Sequence, residues 1–165
     1  MSPSKTGDTG RRHDDRWPFD PASDQAKGLA SPMLRITLPA VPVSDSLIRD
    51  RVRRWLRSLA WPRGQVDDVL LATSEAVSNA IEHAYRSRMP GLVELEGELR
   101  ATDGGRWVEL KIRDFGSWRP LPADDENRRR GIHLMYACMD DVKIDGTDHG
   151  TEIRLRSRIV PLATS

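Results

Sequence analysis

After Met89-Pro90-Gly91 the hydrophobic pattern of the chain repeats every two residues. Val93, Leu95 and Leu99 alternate with Glu94, Glu96 and Glu98. Asp103-Gly104-Gly105 then supplies a hairpin turn, and Val108, Leu110 and Ile112 return on one side with Glu109, Lys111 and Arg113 on the other. Such a hairpin has one aliphatic face and one charged face, and the aliphatic face must be covered by a second layer. Upstream, Leu34, Ile36 and Leu38 alternate with Arg35 and Thr37 in a short strand that Pro39 ends. Downstream, strands over Val142–Asp145 and Thr151–Arg156 flank Gly146-Thr147-Asp148-His149-Gly150.

The covering layer is written at the helical period. Ser44 or Asp45 can cap a helix running to about Ala60, with Leu47, Ile48, Val52, Trp55, Leu56 and Leu59 on one arc and Arg49, Arg53, Arg54 and Arg57 behind it. Trp61-Pro62-Arg63-Gly64 breaks this helix, and a second runs from about Gln65 to Tyr85. A short third helix spans Gly131 to about Met139. The order strand, helix, helix, strand, strand, helix, strand, strand is not a repeating βαβ pattern. It predicts a two-layer α/β (α+β) sandwich: a mostly antiparallel sheet covered on one face by about three helices.

Only 38% of residues are hydrophobic while 31% are charged, so part of the chain is expected outside the core. Residues 1–31 fit that part. They are rich in Pro and Gly, and Lys5, Arg11, Arg12, Arg16 and Lys27 cancel Asp8, Asp14, Asp15, Asp20 and Asp24. They read as a disordered tail in which Trp17 and Phe19 alone offer docking groups. The domain is expected over 32–160, with 161–165 as a C-terminal tail. A formal charge of +1 argues against a surface built for nucleic acid. Lone Cys138 offers neither an internal disulfide nor a zinc pair, and the polar start and absence of a long apolar run predict a soluble, cytoplasmic protein without a membrane span.

Three groups of residues bear chemistry. On the second helix, Val66, Leu70, Thr73, Val77, Ala80, Ile81 and Ala84 share the packing face, and Glu75 and Asn79 lie one turn apart on another. Ala72 and Ala76 flank that polar stripe, leaving room beside it, and His83 continues it; a plain solvated face is the alternative reading. Asp114 of Asp114-Phe115-Gly116 shares the inward parity of Val108, Leu110 and Ile112, and therefore needs a loop, protein or ligand partner. Thr151 is inward by the same parity. Arg128-Arg129-Arg130-Gly131 leads into the third helix, where free N–H groups and arginines suit an anion, unless the run is an exposed basic loop. The polar stretch of about 17 residues from Asp114 to Arg130 is long enough to have a task of its own or to be disordered.

Ser74-Glu75-Ala76-Val77-Ser78-Asn79-Ala80-Ile81-Glu82-His83-Ala84-Tyr85 resembles the N-box of the GHKL (Bergerat-fold) ATPases, nearest to the anti-sigma-factor serine kinases. Asp114-Phe115-Gly116 resembles the first glycine box of that family, Arg130-Gly131-Ile132-His133-Leu134-Met135 the second, and Met139-Asp140-Asp141-Val142 through Gly150-Thr151-Glu152 the closing strands. The resemblance covers roughly 34–158 and implies a Bergerat ATP-binding fold, with ATP and Mg²⁺ as cofactors. By it, Glu75 is the general base for an attacking serine hydroxyl and Asn79 holds Mg²⁺. Asp114 accepts the adenine amino group with Thr151 nearby, and Gly116 lets the base approach. Arg130 and Gly131 sit by the phosphates, His83 belongs to the same nucleotide site, and the long loop forms a lid. Trp118 stands where the first box often has its second glycine and Arg129 where the second box has an earlier one, changes expected to stiffen the lid and weaken nucleotide binding.

The implied activity is an ATP-dependent protein serine/threonine kinase that phosphorylates an anti-sigma-factor antagonist and sequesters a sigma factor. The alternative is a non-catalytic, nucleotide-dependent protein-binding module. Homodimerisation is common in that family, and Arg49, Arg53, Arg54 and Arg57 form either a partner face or a solvated one. Direct nucleic-acid binding rests on arginine density alone, without a groove-reading motif.

Overall fold

The computed structural model describes residues 33–84, 89–117 and 125–162. The expected tail, Trp17, Phe19 and Trp118 lie outside the described residues. The elements are β1 (Leu34–Pro39), α1 (Pro42–Ser58), α2 (Arg63–Asn79) with a π-helical turn (Ala80–Ala84), β2 (Leu92–Thr102), β3 (Gly105–Asp114), α3 (Glu126–Cys138), β4 (Asp141–Thr147) and β5 (Gly150–Arg156). The strands form one five-stranded sheet in the order β1-β2-β3-β5-β4, with every neighbouring pair antiparallel. The expected two-layer sandwich is the observed fold.

Register lines up the alternating aliphatics. Ile36, Leu95, Ile112, Ile153 and Ile144 form one row across the sheet, and Leu34, Gly97, Leu110, Leu155 and Val142 the next. Gly97 interrupts the second row for a steric reason. A Cβ there would lie 3.1 Å from the Trp55 ring of α1 and 3.1 Å from a Leu110 methyl, so the missing side chain seats the indole on the sheet. The opposite face carries Arg35 and Lys111 beside Glu96, Arg100 between Glu98 and Glu109, and Arg113 and Arg154 on Glu152. Exposed pairs add little stability singly, but their alternation with the aliphatics fixes which side of each strand faces the core.

The helices differ from their sequence expectation in instructive places. α1 starts at Pro42 behind Val41, without a side-chain cap. Ser44 is buried, and its hydroxyl donates to the Pro39 carbonyl instead (2.6 Å), tying helix to strand. Ile48, Val52, Trp55 and Leu56 are buried as expected, whereas Leu47 faces solvent at 48% exposure. α2 is buried on two sides, because it packs against both α1 and α3. Val69, Ala72 and Ala76 are therefore core residues alongside Leu70, Thr73 and Val77, and the two alanines border no open space. α3 begins five residues earlier than its apolar pattern suggests, because Asp125 caps it by accepting the Arg128 N–H (3.1 Å).

The far end of the hairpin is clamped to α1. The Arg106 guanidinium donates to the Leu59 and Ala60 carbonyls (2.7 and 2.9 Å) and lies over the buried Trp61 ring, 5.2 Å from its centroid. These bonds satisfy carbonyls at the end of α1 that have no helical donor, and the stacked guanidinium adds a cation–π contact. Val160 pairs with Arg106 in both directions and brings the chain's end back to the same place.

Candidate functional site

Asp114 is the last residue of β3 and points into the layer between sheet and helices, where it is only 6% exposed. One of its carboxylate oxygens, Oδ1, accepts the Gly116 N–H (3.0 Å) and the Thr151 N–H (3.2 Å), and the Thr151 side chain bonds the same carboxylate. Burial nevertheless holds the carboxyl above the usual aspartate range, against the lowering by these donors and by the Arg128 guanidinium. The inward parity expected for Asp114 and Thr151 brings them together.

Two glycines make this corner possible. Gly150 has φ +138°, and a Cβ there would lie 2.1 Å from the Asp114 carbonyl oxygen, so the start of β5 can cross the end of β3 only without a side chain. A Cβ on Gly116 would lie 2.1 Å from the Ala84 carbonyl oxygen, which accepts the Ser117 N–H (3.2 Å). What approaches Gly116 is thus the end of the π-helical turn.

Glu75 and Asn79 lie one turn apart near the C-terminal end of α2, both half-buried. Burial raises the Glu75 carboxyl above the ordinary glutamate range, and the negative charges of Glu82 and Asp45 raise it further. A proton is accepted more readily by such a carboxylate than by one in water. The α-helical spacing that would stack His83 above Asn79 is lost, because the chain enters the wider π turn at Ala80. The His83 side chain lies outside the described residues.

α3 lies directly over Glu75. A Cβ on Gly131 would fall 2.5 Å from a Glu75 carboxylate oxygen, so this glycine lets the two helices close on one another. The arginine run divides around it. Arg128 is buried, facing inward with Gly131, Met135 and Cys138. Arg129 and Arg130 are exposed, and together with Glu126, His133, Leu134 and Ala137 they line an open groove of about 440 Å³ on the outer side of the helix. Arg130 and Gly131 therefore lie in the second turn of α3 rather than at its start, correcting the expectation that the run precedes the helix. The helix phase that begins at Asp125 is the signal that singles out Arg128.

The structure thus brings Asp114, Gly116 and Thr151 together at the end of β3, sets Glu75 against Gly131 with Asn79 one turn along α2, and turns Arg130 outward. No helix among the described residues is long and apolar enough to cross a membrane. Known proteins resemble the chain in sequence and in fold. The chain is 27% identical over 128 residues to an anti-sigma F factor of Clostridium novyi, covering 70% of this chain and 87% of that protein. It is 25% identical over 122 residues to the serine-protein kinase RsbW of Bacillus subtilis, covering 67% and 76% respectively. A similar solved structure is that of the RsbU and RsbW domains of a Mycobacterium tuberculosis protein, with a TM-score of 0.63 and 28% identity. That match covers 78% of this chain and 33% of the longer solved one. The sequence profile of the histidine kinase-like ATPase domain matches residues 38–157, and the chain belongs to that family.

Proposed function

We propose that the protein is an ATP-binding anti-sigma regulatory factor that phosphorylates a serine or threonine of an anti-sigma-factor antagonist and, in turn, sequesters a sigma factor. The observation that carries this reading is the pairing of two carboxylates in different surroundings. Asp114 is buried and held by backbone donors, as recognition of a base requires, while Glu75 is half-buried and raised in basicity, as proton abstraction requires. Relatives named anti-sigma F factor and serine-protein kinase RsbW support it.

In this reading Asp114 accepts the adenine amino group, with Thr151 and Gly116 fixing the carboxylate. Glu75 takes the proton of the substrate hydroxyl as its oxygen bonds to the γ-phosphorus and the bond to the ADP oxygen breaks. Asn79 is the side chain that would hold Mg²⁺; bound, the ion would neutralise the phosphate oxygens and orient them. Among the described residues no group of three or more His, Cys, Asp and Glu is arranged for a metal. Gly131 contributes absence of bulk beside Glu75, and His83 completes the proposed nucleotide-binding set, whereas Arg130 faces the groove on the outer side of α3. The domain is taken as 32–160 and the compartment as the cytoplasm.

Purified protein, a candidate antagonist and γ-labelled ATP test the reading. Label should reach the antagonist with the wild type and fall at least about 100-fold with Glu75→Gln. Nucleotide binding without transfer to any antagonist would favour the non-catalytic module, and failure to bind Mg-ATP would sink the nucleotide assignment.

A further inference from the structure

We propose that the open groove on the outer side of α3 is a docking site for the chain's own N-terminal segment, with Trp17 and Phe19 as its anchors. The groove encloses about 440 Å³ along one stripe of the helix, from Glu126 to Ala137. That size suits a few inserted side chains. Leu134 and Ala137 give it an apolar floor, and Arg129 and Arg130 stand exposed beside them. Among the described residues neither guanidinium has an ion pair or hydrogen bond. The arginines of the outer sheet face differ, for Arg100, Arg113 and Arg154 all sit on glutamates. Two free guanidiniums flanking apolar surface call for an occupant that is both acidic and aromatic.

The sequence supplies such a segment. Over residues 14–24, Asp14, Asp15, Asp20 and Asp24 stand against the single Arg16, with Trp17 and Phe19 between them. The balanced charge of residues 1–31 therefore conceals an acidic, aromatic stretch. Pro18 and Pro21 restrict its backbone, which lowers the entropy lost on docking. The reach is also sufficient. β1 and β4 are the two edges of the sheet, about 20 Å apart at the usual strand spacing, and α3 packs against α2 and β4. The 13 residues between Phe19 and Met33 span about 40 Å when extended, enough to pass from the start of β1 over the helix layer. Tethering raises the local concentration of the segment to about the millimolar range. Two aromatic anchors and a few charge pairs then suffice to hold it. The docking does not depend on what Asp114 and Glu75 bind.

Paramagnetic broadening in the full, isotope-labelled chain tests this. Cys138→Ala removes the native thiol, and Ser23→Cys carries a spin label close to the anchors. Amide signals of residues 126–137 should lose intensity and regain it when Arg129→Glu and Arg130→Glu are added. Further addition of Asp14→Arg and Asp15→Arg, which exchanges the charges, should restore the loss. Broadening that misses residues 126–137, or centres on the arginines of α1, would overturn the proposal. So would broadening seen only when spin-labelled chains are mixed with separate isotope-labelled ones, since the segment would then dock on a second copy. A second measurement keeps Cys138 and needs no label: Trp17→Ser with Phe19→Ser, both outside the folded domain, should shift the amide signals of residues 126–137. Unchanged signals there would overturn the docking whether or not Cys138→Ala folds.

Discussion

The two halves of the candidate site are built on different principles. At the sheet end, Asp114 is fixed by backbone donors from Gly116 and Thr151, and glycines at 116 and 150 allow main chain to touch main chain. At the helix end, Glu75 lies against α3 with Asn79 one turn along α2, and the contact is made by a side chain and a single glycine. Backbone contacts leave one geometry available, whereas side chains and helix ends can rearrange. The lesson is a division of labour: a rigid end suited to recognising a ligand, and an adjustable end suited to chemistry.

Substitutions can break or sharpen that contrast. Gly150→Val should have the largest effect, because it combines strain at φ +138° with a collision against the Asp114 carbonyl; a loss of about 3 kcal/mol or more is expected in urea unfolding. Asp114→Ala should cost about 1–3 kcal/mol by orphaning buried N–H groups and abolish nucleotide binding. Asp114→Asn keeps an acceptor for those groups, and should stay folded while losing affinity for adenine. Arg106→Ala, at the turn end of the β2–β3 hairpin, should cost about 1–2 kcal/mol with nucleotide affinity unchanged; an altered affinity would show that the clamp and the candidate site are coupled.

The smallest effect concerns Glu75. Its folded-state carboxyl is raised above its unfolded value, so its contribution to stability is present at pH below the ordinary glutamate range and lost as pH rises through the raised value. Glu75→Gln should therefore match the wild type in acid and be slightly more stable at neutral pH. Solvent screening of this half-exposed group limits the gain to about 0.5 kcal/mol or less. A variant less stable at neutral pH would mean that the ionised carboxylate is held by favourable contacts instead.

The sheet end was readable in the sequence because alternation carries through to its last residue. Parity at Val108, Leu110 and Ile112 turns Asp114 inward, and parity at Ile153 and Leu155 does the same for Thr151. The helix end was only partly readable. Glu75 and Asn79 follow from spacing, but the first turns of α3, Glu126–Arg130, contain no apolar residue, so periodicity is silent there and only the Asp125 cap marks the start. Without that start the phase of the arginines is undefined, and Arg130 rather than Arg128 draws the eye. Ala72 and Ala76 misled for a related reason: a helix flanked on two sides needs small residues where a one-sided pattern shows a border.

The order of the strands also bears on how the molecule assembles. β2–β3 and β4–β5 are hairpins of neighbours in sequence, and the two hairpins join where β3 meets β5. The Thr151 N–H reaches Asp114 across that seam, from 37 residues away. Joining the seam requires closure of a long loop, whereas each hairpin can form locally. The carboxylate proposed to recognise the ligand is thus completed by a non-local pairing, exceeded in span only by that of β1 with β2. Substitutions at Asp114 or Gly150 should register chiefly as faster unfolding, with the hairpins forming at an unaltered pace.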